Sequence, residues 1–569
     1  MYSLFDDPLI VGRVPLLSLA LAQRVFSASE PLGELARVFR EHPIALTALH
    51  VASPSLHEAA LEWLDGKPLK NKHTPIRLLA YFLRMAARPT PFGLCASVGE
   101  LSCGPQTTLT LGGLESLRTR TRIDMGWLCA LIRSIEDDAV LRPHLTLFES
   151  DAVLERGERL HVLSPVSSRS LCQCRACRRR RGAQTLPMSI RNTPVVSSIR
   201  ERCRNGITVE RLIRALSDDL ELSQERAVAL IDELWNSGLL VSSLQPPPIG
   251  DPLAHLLREL SKLPLETALA LEGIRAQIRA LDATPVPQRG AGEYRAVERA
   301  LEAVHSGPGP TLLIDLAHGF EGALGREVAA EVERFALIQL RFSQTSTLKG
   351  YRERFMARYE GSERLVPLLE LVDPNSGLGA PDEVQRIDGQ ATSYRTRLLA
   401  LASRAARDGS LEVALSEAEL AACLPAMPPL RALPPSIEVG FQVAASSAEA
   451  VRAGDFTVCV SGLRGTVLAG RSVARFADLL GSAATARIRR HLQREQDAGE
   501  PLVEVIYRPA KPHTLNLTLH PPLTAYEIRA GFANVAGETR LLPLSDLLVG
   551  LEEGRFYLYS RHLGRRVRP

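Results

Sequence analysis

Apolar positions recur at helical spacing over residues 31–66, where Leu35, Val38 and Phe39 precede Leu46 and Leu49 near a 3.6-residue period. Arg77–Ala87 continues as a helix. It ends at Pro89 and Pro91, because proline cannot carry a helix onward and biases the residue before it to extended geometry. Gly93 follows as a turn residue. A second amphipathic helix is expected over 122–136, with Asp124 at its start as N-cap or first-turn carboxylate. Short strand-like runs come next at Leu145–Phe148, Ala152–Leu154 and Leu160–Leu163.

Residues 186–244 have their own character. Val195–Cys203 reads as one helix, Thr208 caps a second at Val209–Leu216, and Ser223 begins a third that runs to Trp235. Asn236–Gly238 breaks the pattern and Leu239–Ser243 is extended. Small strands, three short helices and a strand follow the order of a winged helix-turn-helix. The prolines at 246–248 form a stiff break after it. Beyond that break, 250–281, 291–305 and 324–344 are helical, separated by the loop Ser306–Pro310 and a buried strand, Thr311–Leu316, that carries Asp315. From Pro435 strands alternate with helices: Glu438–Val443, Phe456–Val460, Leu502–Tyr507, Leu523–Ile528 and Arg555–Tyr559. The fold class expected is α+β, several subdomains of mixed helices and sheets with an embedded winged helix-turn-helix. The boundaries expected are 1–140, 141–245 and 246–569.

With 569 residues, 45% hydrophobic and 23% charged, the composition is that of a globular chain rather than a disordered one. The net charge of +4 announces no nucleic-acid protein by itself. The basic residues are nearly all arginine, however, with lysine at only six positions. Codon bias accounts for that as readily as a need for guanidinium forks that match phosphate and carboxylate. Nine cysteines are too few for a secreted disulfide scaffold. The N-terminus lacks a basic segment before an apolar one, and no run of 18 apolar residues exists. The expectation is a cytoplasmic protein with no membrane span.

Two stretches could carry chemistry. In "LRMAARPTPFG", Arg84 and Arg88 stand four apart on one helix face and Thr90 lies at the proline turn. Two guanidiniums and a hydroxyl suit a phosphate or carboxylate. As a pattern alone they read first as a solvated arginine face beside a structural turn. In "LCQCRACRRRR", Cys172, Cys174 and Cys177 have thiolate spacing for zinc, with Cys203 or His161 as a fourth ligand. The other reading is an exposed loop with adventitious thiols. Arg178, Arg179, Arg180 and Arg181 in that loop would attract a phosphate backbone, or simply be solvated. Neither a phosphate-binding GxxxxGK[ST] loop, nor HExxH, nor a GxSxG nucleophile elbow occurs.

Taken together, five stretches resemble the N-terminal, glutamylation part of the lanthipeptide (lantibiotic) dehydratase family. They are the R-x3-R-x-TPFG element at Arg84–Gly93, "RIDMGWL" at Arg122–Leu128, "RYEGSERLVPLLELVDPNSGLGAP" at Arg358–Pro381, "GRSVARF" at Gly470–Phe476, and the closing "LLPLSDLLVGLEEGRFYLYSRHLGRRVRP". The resemblance implies transfer of glutamate from glutamyl-tRNA, as co-substrate, to Ser and Thr hydroxyls of a ribosomal precursor peptide. It implies that Arg13, Arg84, Arg88 and Thr90 are required, and it extends to Asp124, Asp315 and Arg475 by local context and order. Arg84 and Arg88, with Arg178–Arg181, would meet the tRNA. The peptide's leader would add a strand to the wing, near Leu160 and Val162, and lie along Val228, Ile231 and Trp235. Partners implied are the precursor peptide, charged tRNA, a separate elimination-domain protein because the chain stops at Pro569, and a second copy in a homodimer. Two alternatives stand beside this. One is a peptide aminoacyl-tRNA ligase that extends a peptide C-terminus, and the other is a non-catalytic leader-binding scaffold.

Overall fold

The computed structural model describes residues 9–69, 71–162, 188–263, 266–307, 309–342, 348–359, 364–381, 389–424, 433, 436–460, 470–497, 499–509, 511–535 and 539–569. The architecture is mixed helices with several small sheets, as the pattern predicts. The helical stretch 31–66 is three helices, Pro31–Glu41, Pro43–Ala52 and Pro54–Leu64, each restarted by a proline at its first position. Proline lacks an N–H, and the first turn of a helix has no use for one. Leu35, Val38, Phe39 and Leu49 are fully enclosed in the main core, with Leu78, Phe82 and Met85 of the helix Thr74–Ala87.

The sheet that organises the molecule has the order Ile10–Pro15, Ala96–Cys103, Leu312–Ala317, Arg118–Ile123. The outer pairs are antiparallel and the central pair is parallel. Ile123, Ile314 and Leu316 face the helices of the main core. On the same side Thr119 and Thr121 bond through their hydroxyls to Asp282 Oδ1, at 2.6 and 2.8 Å, on the helix Thr267–Ala283. The opposite side carries Arg13, Val98, Asp315, Ala317, Arg118, Arg120 and Arg122, since side chains alternate along a strand. Phe476 and Leu479 pack onto Val98 and Ala317 there, which lays the segment Ala474–Leu480 across that face.

In the central part, Thr146–Glu149 pairs with Leu240–Ser242 and Ile207–Thr208. A second sheet follows from Val153–Arg156, Arg159–Val162 and Met188–Arg191. Three helices come after it, Pro194–Cys203, Val209–Leu220 and Gln224–Asn236, capped by the hydroxyls of Thr193, Thr208 and Ser223. The C-terminal part holds an antiparallel sheet of Val366–Pro367, Leu547–Glu552, Arg555–Ser560 and Arg565–Val567. It also holds a parallel one of Val503–Tyr507, Tyr526–Ala530 and Arg540–Leu541. No helix among the described residues is long and apolar enough to cross a membrane.

Two sequence expectations are corrected. The helix expected from 122 begins at Met125, because Arg122 and Ile123 close the strand Arg118–Ile123. The helical stretch 250–281 is two helices, Pro252–Leu260 and Thr267–Ala283.

Candidate active site

Asp315 is the centre of a basic cluster. It stands directly opposite Arg120 in the antiparallel pair of Leu312–Ala317 and Arg118–Ile123, and only 1% of its side chain meets solvent. Arg120 Nη2 reaches its Oδ2 at 3.1 Å, Arg122 Nη2 reaches the same oxygen at 2.7 Å, and Arg475 Nη2 binds Oδ1. Burial alone would raise the carboxyl pKa, but Arg122, Arg475 and Arg120 outweigh it and hold Asp315 below the usual carboxylate range. The reciprocal effect falls on the arginines. Desolvation, with Arg120 and Arg475 close by, pushes the Arg122 guanidinium down to about 9, while Asp315 opposes. It remains a cation at neutral pH.

Arg13 and Glu438 complete the cluster. Arg13 sits on Ile10–Pro15, one strand beyond Val98, with its side chain exposed. Partial desolvation lowers its pKa; Glu438 acts against this and Arg475 with it. Glu438 accepts the Ser472 backbone N–H at 3.1 Å, and burial lifts its pKa. Four guanidiniums therefore meet Asp315, Glu438 and, at the rim, Asp478, which pairs with Arg120. The Nε groups of Arg120, Arg122 and Arg475 are buried with no hydrogen-bond partner among the described residues. A surplus of buried positive charge with unfilled donors is a seat for an anion or for a developing oxyanion.

The turn after the helix Thr74–Ala87 feeds the strand Ala96–Cys103 of this sheet. Leu316 is in register with Ser97, so Asp315 lies one residue before it, level with the start of the strand that the turn feeds. Arg84 stacks its guanidinium 4.4 Å from the centre of the Phe92 ring, while Arg88 and Thr90 are exposed. Leu16 donates to the Cys95 carbonyl at 3.0 Å and Leu17 to that of Met85 at 2.8 Å, which binds the first strand to both ends of the turn.

The structure thus brings Arg13, Asp315 and Arg475 together, while Arg84, Arg88 and Thr90 lie at the end of the helix Thr74–Ala87 and in the turn that follows it. Asp124 has a different place. It is the N-cap of Met125–Asp137, its Oδ1 accepting from Gly126 (2.7 Å) and Trp127 (3.4 Å) and its Oδ2 from Asn516 Nδ2 (2.6 Å). With both oxygens engaged it fixes a helix to the turn Pro512–Leu517. Leu160, Val162, Ile231 and Trp235 are buried in the core, and Val228 is half-buried, so they pack beneath a surface rather than form it. Cys172, Cys174, Cys177 and Arg178–Arg181 lie outside the described residues. Cys203 is fully enclosed, and no three His, Cys, Asp or Glu side chains among the described residues are grouped to hold a metal.

Arg120 and Arg122 are the residues that sequence reasoning missed. Their signal was the alternation Arg118-Thr-Arg-Thr-Arg122, which places three guanidiniums on one face of a strand.

An arginine-lined sheet face of this kind, built from segments more than 300 residues apart, agrees with the family match. The family model "Lantibiotic dehydratase, N terminus" covers residues 41–569, and the chain belongs to that family. Its relatives include the subtilin biosynthesis protein SpaB of Bacillus subtilis, 27% identical over 345 residues, or 58% of this chain and 32% of that protein. The epidermin biosynthesis protein EpiB of Staphylococcus epidermidis is 22% identical over 331 residues, 56% of this chain and 32% of that protein. Among solved structures, the tRNA-dependent lantibiotic dehydratase MibB from Microbispora sp. 107891 superposes with a TM-score of 0.76 at 27% identity, over 98% of this chain and 54% of that one. The glutamylation domain of TbtB from thiomuracin biosynthesis shares the fold, with a TM-score of 0.56 at 19% identity, over 94% of this chain and 66% of that one. The chain therefore spans about a third of the curated relatives' length and about half of MibB.

Proposed function

We propose that this chain transfers glutamate from glutamyl-tRNA to Ser or Thr hydroxyls of a ribosomal precursor peptide. The observation that carries the reading is the cluster of Arg120, Arg122 and Arg475 around Asp315, with Arg13 near Arg475 and Glu438. The donor is already an activated ester, so no ATP is consumed. The peptide oxygen bonds to the glutamyl carbonyl carbon, the bond to the tRNA ribose oxygen breaks, and the hydroxyl proton ends on that ribose oxygen. The developing oxyanion needs preorganised positive charge, which the arginine cluster supplies. Arg88 and Thr90, exposed in their turn, meet the acceptor end of the tRNA. Asp315, occupied by three arginines, orients them rather than taking the proton. Asp124 acts on the same footing, as the cap that holds the strand end behind Arg122.

The leader docks beside Met188–Arg191, an exposed strand that pairs with Arg159–Val162 on one side. MibB, tRNA-dependent by its description, supports the tRNA donor.

The test is intact mass spectrometry of a precursor peptide after incubation with the protein and glutamyl-tRNA, with and without ATP. The expected product is a glutamate adduct that forms without ATP and is released by mild base. An ATP-dependent, base-stable amide would replace the reading with a ligase. Leader binding with no adduct would replace it with a scaffold. Arg88→Ala abolishes the adduct with the fold intact, since Arg88 is exposed.

A further inference from the structure

The three arginines on Asp315 are not equivalent. Among the described residues, Arg122 pairs with Asp315. Arg475 directs its guanidinium to Asp315 and lies over the Phe476 ring, 5.0 Å from its centre. Arg120 has three partners on two separate parts of the chain. Its Nη2 is shared between Asp315 Oδ2 (3.1 Å) and the backbone carbonyl of Arg475 (2.6 Å), and its Nη1 pairs with the Asp478 carboxylate. Arg120 is 14% exposed, so water competes little for these bonds. Arg475 and Asp478 both sit within the short helical segment Ala474–Leu480 that lies across the sheet. The apolar contact of that segment with the sheet sets Phe476, Leu479 and Leu480 against Val11, Val98 and Ala317. Those non-directional contacts seat the segment, and hydrogen bonds set its register over the sheet.

We infer that Arg120 is a positioning residue: it grips the segment Ala474–Leu480 by the Arg475 carbonyl and Asp478, and so aims the Arg475 guanidinium at the reacting carbonyl. The inference rests on the function proposed above. A planar guanidinium can serve three acceptors from one fixed place. A lysine ammonium keeps the charge but cannot span the Asp315 edge, a carbonyl and a second carboxylate together. Asp478 is nearly half exposed and lies at the rim, so it acts on the site through Arg120.

The experiment uses the full chain and Arg120→Lys, Asp478→Asn and the double variant. Two readouts are taken: steady-state kinetics with glutamyl-tRNA, and amide hydrogen exchange. A misaimed catalytic group lowers turnover, and a displacement of about 1 Å is worth up to ~100-fold. Arg120→Lys is expected to lower kcat roughly 10- to 100-fold, with KM for charged tRNA changed less than about 3-fold. Asp478→Asn moves kcat in the same direction by less, and adding it to Arg120→Lys changes nothing further, because both act on one contact. Exchange of the amides in 474–480 rises in each variant, while that of 118–123 stays protected. A rise in KM with kcat unchanged would make Arg120 a substrate contact and overturn the inference. So would unchanged exchange in 474–480. Absence of transfer by the wild-type chain would sink the proposed function instead, and the exchange readout alone then decides for or against the clamp.

Discussion

Asp315 and Arg120 face each other across an antiparallel strand pair, yet the carboxylate they share belongs equally to Arg122 and Arg475. One buried negative charge therefore balances three cations. Removing it leaves the arginines mutually repelling in a site closed to water. Loss of one partner from a buried ionic group costs about 3–5 kcal/mol. Asp315→Ala is expected to fall in that range and to abolish transfer, and Asp315→Asn to lose less stability while still failing in transfer. The sign with pH follows from the pKa of Asp315, which lies below its unfolded value. Its contribution is fully present above the unfolded pKa of about 3.9 and is lost as pH falls through the folded value. Urea midpoints should differ between wild type and Asp315→Asn by a constant amount from pH 5 to 8, and converge below pH 4. A difference that grows on acidification would refute the charge balance.

The turn after the helix Thr74–Ala87 depends on a glycine. Gly93 has φ +54°, and a Cβ there would sit 2.8 Å from Val51 Cγ1 on the helix Pro43–Ala52. Gly93→Ala therefore meets both a left-handed backbone, costing about 1–2 kcal/mol, and a collision. A stability loss of roughly 1–3 kcal/mol is expected, with reduced transfer as Arg88 and Thr90 shift. Trimming the obstacle in Gly93→Ala/Val51→Ala should make the pair less destabilised than the sum of the single variants. Strict additivity would show that the Val51 contact does not set the turn.

Helices and caps were legible in the chain, and the site's sheet was not. The helix Arg326–Phe342 and the hydroxyl caps Thr208 and Ser223 fall where spacing puts them, because one apolar stripe and one short-range hydrogen bond decide each. The strand Arg118–Ile123 alternates strictly, but Arg with Thr rather than polar with apolar. One of its faces carries the site arginines, and the other bonds to Asp282 through hydroxyls. No hydrophobic period exists there to be read. Ala96–Cys103 is interrupted by Gly99, which is needed because the His318 carbonyl and the Phe320 ring occupy the place of a side chain. Asp315 and Arg475 were reached through family resemblance and are joined in the structure. Arg120 and Arg122 needed the register of strands almost 200 residues apart.

Asp151 sets a pH dependence of the opposite sign to that of Asp315. Burial pushes its carboxyl up to about 7, against weak opposition from its own N–H, the Leu544 N–H and Arg529. Between pH 4 and 7 the unfolded chain releases this proton while the folded chain keeps it, so stability falls as pH rises. The raised value corresponds to a loss on the order of 4 kcal/mol over that window. His57 works the other way. Desolvation, then His50 and Arg295, lowers it to about 4, so the unfolded chain binds more protons from pH 4 to 6.5 and stability rises with pH there. A raw pH profile mixes the two, and the difference between wild type and Asp151→Asn separates them. That variant should be more stable than wild type at pH 8, by an advantage that shrinks steadily toward pH 4. Parallel urea midpoints across pH 4–8 would show that Asp151 is ionised throughout in the folded protein.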